Sequence, residues 1–244
     1  MRSEHFITAV LRKSAEENVN CQEKLPLGED AIGNPVFAKT YDGPTFYRHT
    51  CVTGACRGAF IRRFLITLSC LYEKEEACFL ILSPSMEYAE LLKLTNMDVT
   101  VPYLRTKDDF EMAKSTIEEL IVRRGIGVEK FPKLFIVMDG LENVPSCNAG
   151  EMLDEYREIF DLVSRHDDVE VITGVDLKKS IFSGSPGAFV GVGNCLVSTR
   201  EEGKADVTYV GSDVTLSAPA PILYPTEPDL ADTIVFLNSI DKRN

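Results

Sequence analysis

The stretch HTCVTGACRGAF, residues 49–60, decides the fold. Its apolar first part, taken back to Phe46, predicts a strand from Phe46 to Val52. A glycine-bearing turn follows: Thr53, Gly54, Ala55, Cys56, Arg57 and Gly58. An apolar helix then runs from Ala59 to about Tyr72. Outward from there, Ala77–Leu82 is a continuous apolar run of strand length, the mark of a strand buried on both faces. Leu134–Met138 is the most strand-like run in the chain, and it ends in Asp139. Val169–Thr173 reads as another buried strand. Helices are predicted between these strands, at Tyr88–Leu94, from Thr106 to about Arg124, and from Gly150 to Ser164. Thr106 is a good N-cap, and Asp108 and Asp109 in the first turn suit the helix dipole. Asp98–Tyr103 is a further strand candidate. Strands alternating with helices imply a mostly parallel sheet covered on both faces. Asn194–Ser198 and Asp206–Gly211 predict an antiparallel extension near the C-terminus, and a helix from Pro228 to Ile240 closes the chain.

Before residue 49, Phe6, Ile7, Val10 and Leu11 sit at helical spacing. Residues 1–24 are therefore expected to form a helical segment ahead of a domain spanning 25–244. Turn formers at Pro26, Gly28, Gly33–Asn34–Pro35 and Asp42–Gly43–Pro44 surround Val36–Ala38, a short strand in a β-hairpin. Ser183–Gly193 reads as a glycine-rich loop.

Composition bounds the function. The chain has 244 residues, 44% hydrophobic and 26% charged, which is enough for a sizeable core. Nothing approaches the roughly 20 apolar residues of a bilayer span, and the N-terminus lacks a signal-peptide pattern, so a cytoplasmic protein is expected. Seven scattered cysteines and three histidines, with no C-x-x-C pair, predict buried free thiols rather than zinc. The net charge of −12 opposes an extended nucleic-acid surface. The local basic clusters, Arg57–Arg62–Arg63, Arg123–Arg124 and Lys178–Lys179, read as solvated faces.

A strand, a glycine turn and a helix N-terminus are the parts of a phosphate-binding loop, in which backbone N–H groups meet the phosphate. A lysine and a serine or threonine complete it, and an Asp ending a second strand holds Mg²⁺. Here the order is right and the residues are not. Only three residues separate Gly54 from Gly58, and Ala59 and Phe60 stand where Lys and Ser belong. Another register places Cys56 at the second glycine, Arg57 at the lysine and Gly58 at the hydroxyl position. The cation returns, but arginine's planar fork is no substitute for lysine.

Several phrases in order resemble the FtsK/SpoIIIE family of DNA-translocase motors. LPLGEDAIGNPVFA (25–38) resembles that family's "LGxDxxGxPVxxD" entry phrase, and HTCVTG (49–54) its "HLLVAG". Ile66–Leu71 fits the following helix. Leu80–Ser85 resembles the "IDPK" strand, Leu134–Asp139 the "hhhhDE" strand, Gly191–Leu196 the "GxGDML" turn, and Thr226–Ser239 the closing helix. The resemblance covers about residues 25–240, and type VII secretion ATPases share this plan.

It implies a P-loop NTPase (RecA-like) fold with a mostly parallel central sheet. It also implies a nucleotide site at Thr53, Gly54, Ala55, Cys56, Arg57, Gly58, Ala59 and Phe60, with Asp139 as the metal-side catalytic acid. ATP and Mg²⁺ are the implied cofactors only if this degenerate loop still binds nucleotide, and no metal site is expected otherwise. The glutamate expected after Asp139 is Gly140. Glu142, two residues on, is expected to point elsewhere. The sensor phrase "TQRP" keeps only Thr173 of Thr173–Asp176.

Losing one transition-state donor commonly costs about 10²–10³ in rate, so losing three predicts negligible turnover. The expected protein is a non-hydrolysing structural or regulatory subunit, either self-associated or assembled with an active motor. DNA is implied by the resemblance and opposed by the charge. Two other readings are a weakly active translocase using Arg57, and a ligand- or peptide-binding module with a pocket near Cys56 and Phe60.

Overall fold

The computed structural model describes residues 3–17, 25–38, 49–95, 97–102, 104–125, 131–144, 149–163, 166–176, 195–209, 219–226 and 230–239. The expected glycine-rich loop at 183–193, Lys178–Lys179 and the start of the strand at Phe46 lie outside them.

The chain builds one ten-stranded sheet between two helical layers. Its strands are β1 (Pro26–Glu29), β2 (Pro35–Phe37), β3 (His49–Gly54), β4 (Ala77–Leu82), β5 (Asp98–Thr100), β6 (Lys133–Asp139), β7 (Val169–Val175), β8 (Cys195–Glu201), β9 (Lys204–Tyr209) and β10 (Ala220–Leu223). The helices are α1 (Ser3–Glu17), α2 (Arg57–Ser69), α3 (Lys107–Gly125), α4 (Ala149–Val163) and α5 (Leu230–Ser239). The spatial order is β2-β1-β10-β9-β8-β3-β7-β6-β4-β5. From β8 to β5 every pairing is parallel, and from β8 outward through β9, β10, β1 and β2 every pairing is antiparallel. The expected mostly parallel sheet with a C-terminal antiparallel extension is what forms. The extension is wider than expected, because β10 joins the N-terminal hairpin to the same sheet.

Burial on both faces explains why β4 and the Leu134–Met138 part of β6 read as unbroken apolar runs. One face packs under α1, α2 and α5 through Ile7, Phe60, Phe64, Leu65 and Ile234. The other packs under α3 and α4 through Phe110, Ile117, Ile159 and Phe160. Thr106 caps α3 as its sequence predicts: the Asp109 N–H donates to Thr106 Oγ1 at 3.2 Å, and Asp109 Oδ2 accepts from the Thr106 N–H at 2.9 Å. This reciprocal box satisfies two end donors that would otherwise lack a helical partner.

Two expected elements differ. The helix after β4 is a 3-10 helix over Met86–Lys93, capped by Ser85. Its three-residue repeat buries Tyr88, Leu91 and Leu94 on one stripe, which an α-helical reading places less exactly in line. The strand expected over Asp98–Tyr103 is limited to Asp98–Thr100, since Pro102 follows and cannot donate to a ladder.

The thiols behave as small apolar groups. Cys51, Cys70 and Cys195 are buried and free, whereas Cys56 and Cys78 are partly exposed. Burial pushes the Cys51 thiol up to about 11, with a bond to Thr173 pulling slightly the other way. Burial pushes Cys195 up to about 12. The thiolate is the reactive form, so both should be inert at neutral pH. A disulfide-exchange dye added to the native protein should label Cys56 within minutes and leave Cys51 and Cys195 unmodified until denaturant is added. Rapid native labelling of either, read by peptide mass, contradicts the packing.

Candidate functional site

The candidate site forms where β3 hands over to α2. β3 lies between β8 and β7, both parallel to it, and the C-terminal ends of parallel strands are where such sheets carry ligands. Gly54 ends the strand with φ +100°, a conformation glycine adopts freely. Thr199 Oγ1 on β8 donates to the Thr53 carbonyl at 2.7 Å. A Cβ on Gly54 would stand 2.2 Å from the Thr199 carbonyl oxygen, so the strand end is pinned against β8. Ala55 and Cys56 alone separate β3 from the first residue of α2. Cys56 is the N-cap and makes no side-chain cap bond. A phosphate loop places more chain between its strand and its helix.

Arg57 opens α2, two residues before the helix start expected at Ala59. Its guanidinium spans two acids. Nε donates to Asp139 Oδ1 at 2.9 Å, and Nη2 donates to Glu142 Oε1 at 3.1 Å. Asp139, at the end of β6, is buried, and its other oxygen accepts from Tyr88 OH at 2.8 Å. Both oxygens of the implied metal-side acid are thus engaged by the protein itself.

Glu142 was expected to point away, and the structure corrects this. Gly140 takes a left-handed conformation, φ +68°, and the chain turns into a short 3-10 helix over Leu141–Asn143. That reversal swings Glu142 back beside the strand end. There it also accepts from the Asp176 N–H at 3.3 Å. The residue after Asp139 is therefore a turn former whose purpose is to return an acid two positions later.

Three glycines border this cluster, and a side chain at Gly174 would collide with it. A Cβ on Gly174 of β7, the register partner of Asp139, would lie 2.0 Å from Asp139 Oδ1. One on Gly140 would lie 3.2 Å from Arg57 Nη2. One on Gly58 would lie 3.6 Å from Asp139 Oδ2 and 2.8 Å from Glu87 Oε2. Glu87, from the 3-10 helix, is bonded to Arg62. Gly58 is expected as a phosphate-loop glycine, and in the structure it makes room for the Glu87 carboxylate.

Burial holds the Asp139 and Glu142 carboxyls above their usual range, and Arg57 pulls both back. Burial works against the Arg57 charge, but Asp139 and Glu142 outweigh it and raise its pKa. With one bond at 2.9 Å and another at 3.1 Å, the arrangement is an ionised clasp. Burial, and then the neighbouring Asp139, push Tyr88 well above the usual phenol range, so it stays a donor.

The remaining predicted residues fall in several places. Thr53 is buried and its Oγ1 lies 3.4 Å from Ser198 Oγ. Gly54 and Ala55 are exposed, and Ala59 is half-buried. Phe60 is fully buried, with its ring centroid 6.0 Å from Phe64 and 5.1 Å from Tyr224, so it belongs to the core rather than to the turn. Thr173 lies within the sheet, where its hydroxyl meets His49 Nε2 at 2.7 Å. Sequence reasoning missed Tyr88, Glu87, Glu142 and Gly174. The left-handed tendency of the Asp139–Gly140 pair was the available signal for Glu142.

The described basic clusters are also engaged. Arg62 bonds Glu87, Arg63 is buried, Arg123 pairs with Glu119, and Arg124 pairs with Asp168 under the Phe131 ring. Among the described residues no group of three or more His, Cys, Asp or Glu is arranged to hold a metal ion, and no described helix is long and apolar enough to cross a membrane.

The fold is similar to that of solved structures described as ATPases. The cytoplasmic domain of the type VII secretion ATPase EccC of Thermomonospora curvata superposes with a TM-score of 0.61 at 13% identity, covering 89% of this chain and 31% of that one. ATPases 2 and 3 of EssC from Geobacillus thermodenitrificans give 0.55 at 14% identity, covering 88% of this chain and 44% of that one. A chain described as an ATPase gives 0.58 at 11% identity, covering 93% of this chain and 94% of that one. The chain thus spans less than half the length of the EccC and EssC chains. No protein-family model matches it, and no curated protein matches it in sequence.

Proposed function

We propose that residues 25–244 form an FtsK/SpoIIIE-like motor domain that does not hydrolyse ATP, with residues 1–24 as an accessory helical segment. In this reading the domain is a structural or regulatory subunit, self-associated or assembled with an active motor. One observation carries it. The cation that begins α2 is spent on Asp139 and Glu142, and Asp139 is closed on its other side by Tyr88. A phosphate needs that cation, and Mg²⁺ needs a carboxylate free to receive it or its water. Here each satisfies the other. Thr53–Phe60 and Asp139 then constitute a vestigial nucleotide site.

Calorimetry with ATP and Mg²⁺ should show no saturable heat. Phosphate release with or without duplex DNA should match a heat-killed control. Light scattering coupled to size exclusion should show self-association, or co-elution with an active motor. Tight ATP–Mg²⁺ binding, or turnover that Arg57→Ala abolishes, would sink this reading and favour a working translocase that uses Arg57.

A further inference from the structure

Acidic groups ring the first turn of α2. Glu87 Oε2 lies 2.8 Å from where a Gly58 methyl group would stand, and Arg62 holds it there. Ser85 Oγ accepts from the Glu87 N–H at 3.3 Å and fixes where this carboxylate enters. From the other side Glu142 arrives through Arg57, and its Oε2 is buried without a hydrogen-bond partner. Three carboxylates, Glu87, Asp139 and Glu142, thus meet two guanidinium groups, Arg57 and Arg62. The balance is negative at a helix end whose free amides would otherwise attract an anion.

We infer that Glu87 and Glu142 form an acidic stopper on this turn. The stopper rests on the reading of the site as vestigial, and it adds a cause: polyphosphate is kept out by charge rather than by the shortness of the Ala55–Cys56 turn. Asp139 is not part of it, because both of its oxygens are bonded within the clasp. Glu87 is half-exposed and tethered only at its tip, which makes it the removable half.

The test uses the full chain and inorganic tripolyphosphate without metal, by calorimetry at low salt. The wild type should give no saturable heat. Glu87→Gln should bind, and Glu87→Gln with Glu142→Gln should bind tighter by about tenfold, a gain that added salt removes. Arg62→Met in the Glu87→Gln background should weaken that binding, because Arg62 is the guanidinium that Glu87 holds. If both variants are folded and as silent as the wild type, turn length does the excluding and the stopper is wrong. If the double variant fails to fold, Glu87→Gln decides alone. Binding of ATP–Mg²⁺ by the wild type defeats the proposed function instead, so the two failures are told apart.

Discussion

Gly174→Ala lowers the unfolding free energy by about 3 kcal/mol, the upper part of the usual range for overpacking a core. Alanine in a strand interior is ordinarily an improvement on glycine, since glycine loses more conformational freedom on folding. The sign reverses here because of space alone. The added methyl group would stand 2.0 Å from Asp139 Oδ1 and 2.8 Å from both Asp139 Cγ and Ile61 Cδ1. None of these can withdraw. Asp139 is a short side chain bonded at both oxygens, and Ile61 is fully buried. β7 cannot shift either, because it is laddered to β3 on one side and β6 on the other. Urea titration should show a lower midpoint with an unchanged slope. A midpoint equal to or above the wild type would mean that Asp139 is free to move, and that the clasp is looser than its geometry.

Arg57→Met is the second large effect. It keeps much of the stem's apolar volume and removes the charge, so two buried carboxylates lose their counterion. Breaking one side of a buried ion pair commonly costs about 3–5 kcal/mol. The loss should depend on pH, and its sign follows from the carboxyls. Burial already raises both Asp139 and Glu142 above their usual range. A carboxyl raised in the folded state binds its proton more tightly there than in the unfolded chain. Its stabilising contribution is fully present below the unfolded value, about 4, and is lost as pH rises through the folded value. In the wild type Arg57 limits that loss. Without it both values climb further, so the variant should approach wild-type stability near pH 4 and fall away steeply towards neutrality. Adding Glu142→Gln should recover part of the loss at neutral pH. Arg57→Lys should recover less than an isosteric reading suggests, because one ammonium cannot reproduce a fork reaching two acids. Equal destabilisation at pH 4 and pH 7 would refute the linkage.

The parallel strands were legible because they are short, apolar and buried on both faces: Ala77–Leu82 and Leu134–Met138 are unbroken apolar runs of strand length, and the buried Glu170 interrupts Val169–Thr173. The α3 start was legible because its capping signal is local. β10 was not, since Pro219 and Pro221 argue against a strand, and what places it is its pairing with β9 and β1. The β3–α2 turn, Arg57 and Asp139 stood out in sequence. Their relation to each other did not, because it joins positions 82 apart. Glu142 was expected to point elsewhere, and the left-handed Gly140 turns the chain so that it comes back to Arg57. Tyr88 lay within a helix whose three-residue repeat, rather than the α-helical one, aims it at the cluster.

β1 reaches the sheet by pairing with β10, so the hairpin near the start of the chain is fastened by one of its last strands. Gly28 allows that seam: a side chain there would press within 2.3 Å of the Leu223 carbonyl oxygen. During synthesis the backbone edge of β1 that β10 covers must therefore wait until residue 223 has emerged. Folding of this half of the sheet is a late, long-range closure, and it should be slow beside the local steps that form α2 and α3.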